Sequence, residues 1–197
     1  KHITKVPFPR LTHKEAMEKY QSDKPDLRKD KNDPDELAFA WIVDFPMFEW
    51  RESEERWDTV HHPFTSPKVE GDLPGFIAKM KKNPSGILAN QYDFVLNGYE
   101  IAGGSIRTHQ PELLSAVFEI MGHTADQIAL KFGHILEAFK YGVPPHGGIA
   151  PGIDRFLAIV SNEPNIREVI AFPKTGDARD LMMDSPAELE EMQLKEL

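Results

Sequence analysis

The dipeptide Asn97-Gly98, set between Tyr92–Leu96 and Tyr99–Ala102, constrains the fold more than any other stretch of this chain. Asn-Gly readily supplies the two positive-φ positions of a two-residue hairpin turn, so the flanking segments are expected to pair as antiparallel strands. The turn also sets register, with Leu96 facing Tyr99 and Val95 facing Glu100. Side chains return to one face every second residue, which puts Asp93 on the same face as Val95. Asp93 and Glu100 then become diagonal neighbours, roughly 7–8 Å apart at the backbone. Arg107 lies seven residues past Glu100, where a regular strand would turn it to the opposite face; a bulge at Gly103-Gly104 would bring it back.

Other segments declare themselves by caps and spacing. Thr12 with Glu15 forms a capping box for a short helix ending near Tyr20. Residues 21–36 are polar, carry two prolines and read as a loop or linker. Leu37–Phe45 is a compact apolar run, expected as a buried strand. Phe48–Trp50 and Trp57–His61 make a hairpin around a charged tip, and a short helix follows near Pro74–Lys81. Pro111–Met121 reads as a helix stopped by Gly122. Thr124 and Gln127 cap another, with Ile128, Phe132, Ile135, Leu136 and Phe139 at helical spacing. Gly147–Ile153 reads as a strand with a bend, Asp154–Val160 opens a helix, and Ser185, Pro186 and Glu188 start a last one at the tail. Trp41, Trp50, Trp57 and the phenylalanines are expected in the core. Hairpins combined with helices that do not alternate regularly with strands point to an α+β fold with an antiparallel sheet.

At 197 residues, 40% hydrophobic and 28% charged, the chain has the composition of one globular domain. Its 23 basic and 32 acidic residues leave a net charge of −9, which argues against a free-standing module gripping nucleic acid by its backbone. Without cysteine it has no disulfide, thiolate metal site or thiol nucleophile, which suits a cytoplasmic location. No apolar run reaches membrane-spanning length, so no membrane is expected as a partner.

Two glycine-rich segments, Gly98–Arg107 and Gly147–Arg155, each close on an arginine. Glycine admits close backbone approach, and the guanidinium presents a planar fork of donors to carboxylate or phosphate. Asp93 with Glu100 suits a divalent cation bridging phosphate oxygens, or else is a pair of solvated acids. Arg107 is an anion ligand or a surface ion-pair partner. Gly152, Ile153, Asp154 and Arg155 open a hydrophobic helix whose free N–H groups favour an anion, although the glycines equally permit tight strand–helix packing. The spacing fits neither a dinucleotide-binding nor a Walker A pattern. His61 and His62 are adjacent, and on a strand would point opposite ways, which argues against a shared metal.

Taken in order, PFPRLTHKEAMEKYQSDKPDLR (7–28), ELAFAWIVDFPMFEW (36–50), HHPFTSPK (61–68), NQYDFVLNGYEIAGGSIRTHQ (90–110), KYGVPPHGGIAPGIDRFLAIV (140–160) and NIREVIAFPKTGDARDLM (165–182) closely resemble bacterial-type aspartyl–tRNA synthetases, which are class II aminoacyl–tRNA synthetases. The resemblance implies an antiparallel sheet flanked by helices, acting in a homodimer on L-aspartate, ATP with Mg2+, and tRNA(Asp). It implies that Gly152–Arg155 is the family's third signature motif, with Arg155 on the terminal phosphate of ATP. Glu100 is then the residue that binds ATP through magnesium, with Asp93 as its companion. Arg107 takes the side-chain carboxylate of aspartate, and His61 stands at the aspartate site.

Against the family's pattern, residues 1–197 correspond to a C-terminal part of the catalytic domain. The anticodon-binding barrel and the first two motifs are absent. Residues 21–36 stand where the bacterial type carries an insertion domain. The expectation is that the isolated chain does not activate aspartate alone. A non-catalytic truncated paralogue that binds nucleotide or a partner, and a related asparagine-handling ligase, are the competing readings.

Overall fold

In a computed structural model describing residues 1–189 and 191–195, Asn97 and Gly98 take positive φ angles of 51° and 89°. The flanking strands pair antiparallel with Val95 opposite Glu100 and Leu96 opposite Tyr99, the register that the turn demands. The chain divides into two units, Lys1–Pro151 and Gly152–Leu197. In chain order the first contains β1 (His2–Ile3), β2 (Arg10–Thr12), α1 (His13–Tyr20), β3 (Glu36–Leu37), β4 (Phe39–Val43), β5 (Phe48–Arg51), β6 (Arg56–Thr59), α2 (Leu73–Lys82), β7 (Gln91–Leu96), β8 (Tyr99–Ile106), α3 (Pro111–Ile120), α4 (Ala125–Phe139) and β9 (Gly147–Pro151). The second contains α5 (Ile153–Ser161) and α6 (Glu191–Leu194).

A five-stranded sheet in the order β2-β4-β7-β8-β9 forms the frame of the first unit. All its pairings are antiparallel except β2 with β4, which run parallel. That edge pairing was not legible in the proline-punctuated start of the chain. Helix α1 begins where its capping box predicts: Glu15 N–H donates to Thr12 Oγ1 (3.1 Å), and Thr12 N–H to the Glu15 carboxylate (2.8 Å). Thr124 and Gln127 repeat the device at α4. Strands β5 and β6 form the expected hairpin.

The two faces of the sheet differ in character. On one, Phe39, Trp41 and Phe94 stack with Phe8, their ring centroids 4.4–5.3 Å apart. On the other, Ala40, Ile42 and Val95 pack with Ala16 of α1, Phe45, Leu11 and Leu27. This second face also carries Gln91, Asp93 and Glu100, because directly paired residues share a face. A separate core of Met47, Phe48, Phe76, Met80, Ile87, Leu113 and Val117 fastens β5, α2 and α3 together. Leu114, Phe118 and Ile128 join α3 to α4, with the rings of Phe118 and Phe132 stacked at 4.0 Å.

Residues 21–35 form the loop expected over 21–36, and Glu36, which opens β3, is a buried anchor at its end. The Glu36 carboxylate accepts the backbone N–H groups of Lys29 and Asp30 (3.0 Å each) and the Thr4 hydroxyl (3.0 Å). Its side chain thus satisfies backbone donors that no sheet ladder reaches.

Three expectations need correction. Trp50, Phe156 and Phe172 are not core: they are 44%, 38% and 66% exposed, Trp50 packing edge-on against Trp57 on a two-stranded hairpin. Ser185 does not open a tail helix, because its backbone pairs with Asp180 and closes a tight loop. The helix there starts only at Glu191, and Glu190, Glu196 and Leu197 lie outside the described residues. Finally, the bulge in β8 falls at Ile101 rather than at Gly103-Gly104, since Ala102 pairs with Phe94 while Glu100 pairs with Val95.

Candidate functional site

The bulge at Ile101 decides which side chains share a face. One extra residue switches the alternation, so Glu100, Gly103 and Ser105 all lie on the Asp93 side of the sheet. A Cβ placed on Gly103 would stand 2.9 Å from Glu100 Oε1 and 3.3 Å from Asp93 Oδ1, so the two carboxylates lean together over that glycine. Asp93 is only 7% exposed. Burial first, and the charge of Glu100 second, push its carboxyl up to about 6. Gln91, also buried, donates from Nε2 to Asp93 Oδ1 at 3.5 Å, while its own Oε1 has no protein partner.

Beyond the carboxylates the floor carries only small residues. Gly103 pairs with Ala150 and Ser105 with Gly148 on β9. Tyr92, on the other face, reaches across to donate its hydroxyl to the Gly148 carbonyl at 3.0 Å, which ties the floor to the sheet behind.

Arg107 stands at the far end of this floor, about 13 Å along the strand from Gly103 by strand rise. Its guanidinium donates to Ser105 Oγ and contacts His62 Nε2. Thr65 Oγ1 donates to Ser105 Oγ at 3.2 Å. A cavity of about 530 Å3 opens beside Arg107, lined by His62, Phe64, Ile135, Phe139 and His146 among others.

The adjacent histidines do not diverge as a strand would make them. β6 ends at Thr59, and in the irregular segment that follows the two rings lie 4.3 Å apart, tilted at 38°. His61 lies close enough to both ends of the site to feel each. Burial and the Arg107 charge lower its pKa, while Glu100 raises it. His62 is held down to about 4, by burial first and then by Arg107 and His61.

Thus Asp93 and Glu100 come together, as do His61, His62 and Arg107, on one half-open sheet face. Sequence reasoning weighed His62 with His61 only as a metal pair, and missed Ser105, Thr65 and Gln91. The signals were present: Ser105 sits two residues before Arg107, and Thr65 three after His62. In the second unit, Gly152 is the N-cap of α5 with no side-chain cap, and Asp154 and Arg155 lie in the first turn. The helix start therefore offers backbone N–H groups to an anion.

Among the described residues no group of three or more His, Asp or Glu is placed to hold a metal. A buried carboxylate beside a half-buried one still fits Mg2+, which takes one or two such ligands and completes its shell with water and substrate phosphates. No helix among the described residues is long and apolar enough to cross a membrane.

Comparison with known proteins agrees with this architecture. Residues 1–176 match the family model for tRNA synthetases class II (D, K and N). The chain is 52% identical over 165 residues to an aspartate–tRNA(Asp/Asn) ligase of Dehalococcoides mccartyi (strain CBDB1), covering 84% of this chain and 27% of that protein. It is 52% identical over 164 residues to the ligase of the same name from Treponema denticola, covering 83% and 27%. The chain thus spans about a quarter of the length of these curated relatives. In fold it resembles the aspartyl–tRNA synthetase of Entamoeba histolytica (TM-score 0.60, 22% identity, 91% of this chain and 34% of that one). It resembles the asparaginyl–tRNA synthetase of Pyrococcus horikoshii to a similar degree (TM-score 0.56, 22% identity, 88% and 37%). The hairpin, the half-covered sheet and the family match lead to one conclusion: the chain belongs to the class II tRNA synthetases.

Proposed function

We propose that this chain is the segment of an aspartate–tRNA ligase that holds ATP with Mg2+ and the side-chain carboxylate of L-aspartate. The observation that carries the reading is the small-residue floor of Gly103, Gly148 and Ala150, with two leaning carboxylates at one end and an arginine at the other. Such a surface accepts a ligand pair with opposite needs: a cation-bound nucleotide and a small dicarboxylate.

In this reading Asp93 and Glu100 hold Mg2+, which supplies charge neutralisation for the phosphates when bound. Arg107 takes the aspartate side-chain carboxylate, and His61 lies beside it. Gly152, Ile153, Asp154 and Arg155 form an anion-binding helix start for the ATP phosphates. The α-carboxylate of aspartate attacks the α-phosphate of ATP and pyrophosphate leaves. The aspartyl group of the adenylate then passes to the 3′-terminal adenosine of tRNA(Asp). The protein's task is to orient reactants and offset charge, with no covalent enzyme intermediate.

The complete enzyme is proposed to be a cytoplasmic homodimer, with residues 21–36 standing where the insertion domain sits in the bacterial type. The family's second motif, whose arginine holds the α-phosphate, does not occur within these 197 residues. The chain alone is therefore expected to bind ligands without activating aspartate. Pyrophosphate exchange into ATP, dependent on aspartate and catalysed by the purified chain, would refute that expectation.

The decisive measurement is calorimetric binding of L-aspartate and of ATP to the chain and to Arg107→Ala. Loss of Arg107 is expected to weaken aspartate by roughly 2–5 kcal/mol and to leave ATP binding nearly unchanged. A loss confined to ATP would show the carboxylate role to be wrong.

A further inference from the structure

The segment between β6 and Thr65 closes a ring of hydrogen bonds around Arg107. Thr65 N–H donates to the His62 carbonyl at 3.0 Å, and this turn sets Thr65 Oγ1 3.4 Å from His62 Nδ1. Thr65 also bridges to the Arg107 backbone. Its hydroxyl meets Ser105 Oγ, Ser105 Oγ meets Arg107 Nη1, and Arg107 Nη1 meets His62 Nε2. The four side chains make a closed circuit: His62, Thr65, Ser105, Arg107 and back to His62.

Proton bookkeeping fixes the direction of every link. A guanidinium only donates, so His62 Nε2 must be the acceptor and the ring proton must sit on Nδ1. Nδ1–H then points toward Thr65 Oγ1. The Thr65 O–H donates to Ser105 Oγ, which accepts from Arg107 as well and keeps its own O–H to donate. Ser105 and Thr65 are 0% and 1% exposed, so their hydroxyls need these partners. A doubly protonated imidazole would turn an N–H against the guanidinium and open the circuit. Burial and the charges of Arg107 and His61 hold His62 in its neutral form.

We propose that His62 is a positioning residue: a neutral imidazole, protonated at Nδ1, that fixes the Arg107 guanidinium for a carboxylate ligand. The proposal rests on reading Arg107 as the carboxylate-binding group, and it adds a residue that touches the arginine rather than the substrate. Arg107 has several rotatable bonds, and a fork held at one nitrogen by Ser105 and His62 loses less freedom when a carboxylate arrives.

The test is nitrogen-15 NMR of the imidazole and guanidinium groups in the 197-residue chain at neutral pH, with His62 identified by its loss in His62→Gln. The expected result is a His62 ring protonated at Nδ1, together with an Arg107 guanidinium whose N–H signals show slowed rotation. A ring protonated at Nε2, or one averaging both forms, overturns the proposal. Arg107→Met removes the donor to Nε2 and should release the ring into a mixture of forms while the strands remain folded. A ring still locked at Nδ1 in that variant would show that the arginine does not set its tautomer, and would count against the circuit.

Aspartate binding separates this inference from the reading beneath it. His62→Leu should weaken L-aspartate about tenfold, and His62→Gln, whose carbonyl can accept from Arg107, should restore most of the loss. Equal weakening by both substitutions contradicts a positioning role. If the ring is locked at Nδ1 but no variant, nor the parent chain, binds aspartate, the carboxylate reading fails while the circuit stands.

Discussion

The two glycine–arginine segments look alike in sequence and work by different physics. In Gly98–Arg107 the strand is paired on both sides, its arginine is half-buried, and three side chains interlock around the guanidinium. In Gly147–Arg155 the glycines edge a sheet and then uncap a helix, so what is offered is largely backbone. The first site is specified by side chains and burial; the second by N–H groups at a helix start. A pattern of glycines ending in arginine therefore says that an anion is welcome, and only the fold says what holds it.

The contrast inside Gly103-Gly104 is the sharpest place to strain the first segment. A Cβ on Gly104 would meet the Gly148 carbonyl oxygen at 2.1 Å, Tyr92 Cε2 at 2.6 Å and Ile149 Cα at 3.0 Å. Two of those three atoms are backbone of the neighbouring strand and cannot swing away. Gly104→Ala is expected to cost about 3 kcal/mol or more in unfolding free energy. On Gly103 the obstructing atoms are carboxylate oxygens at the ends of side chains. Gly103→Ala should cost about 1 kcal/mol at most, yet part the two acids and weaken binding of ATP with Mg2+. Thermal unfolding of both variants checks this, and equal losses would mean that the two faces of the sheet do not differ in the room they leave a methyl group.

The acid pair itself predicts a pH signature. Asp93 is raised from 3.8 to about 6, by burial and then by Glu100. Between those values the folded chain keeps a proton that the unfolded chain releases, so stability falls as pH rises through the window. With metal excluded, Asp93→Asn should gain on the parent chain by roughly 2 kcal/mol between about pH 4 and pH 6.5, after allowance for solvent screening. Denaturant unfolding at those two pH values measures it. A difference independent of pH would place the charge of Asp93 in a far better solvated setting.

How much of this was legible beforehand follows the range of the forces involved. Caps and turns act over three or four residues, so Thr12–Glu15, Thr124–Gln127 and Asn97-Gly98 could be read directly. The Asp93–Glu100 pairing followed from the turn alone. The bulge was expected from glycine permissiveness at Gly103-Gly104, but falls at Ile101, because ladder pairing with both β7 and β9 decides where the extra residue fits. Both placements return Arg107 to the acid face, so the consequence survived the misplacement. The role of His62 beside Arg107 was hidden for a different reason. It depends on a turn that ends β6 early and on Ser105, 43 residues away, and no local pattern encodes that meeting.

The second segment should answer substitution in the opposite sense. Arg155 lies in the first turn of α5, where the helix dipole already presents its positive end. A cation there is locally unfavourable, and Asp154 beside it is the residue that suits the position. Arg155→Ala should relieve that local cost of about 0.3–1 kcal/mol and install the better helix former. In the complete enzyme the same change should raise the ATP requirement and leave aspartate affinity largely intact. Unfolding of Arg155→Ala alongside ATP kinetics distinguishes the cases. A clear loss of stability with unchanged ATP kinetics would make Arg155 a structural residue and would erase the difference between the two segments.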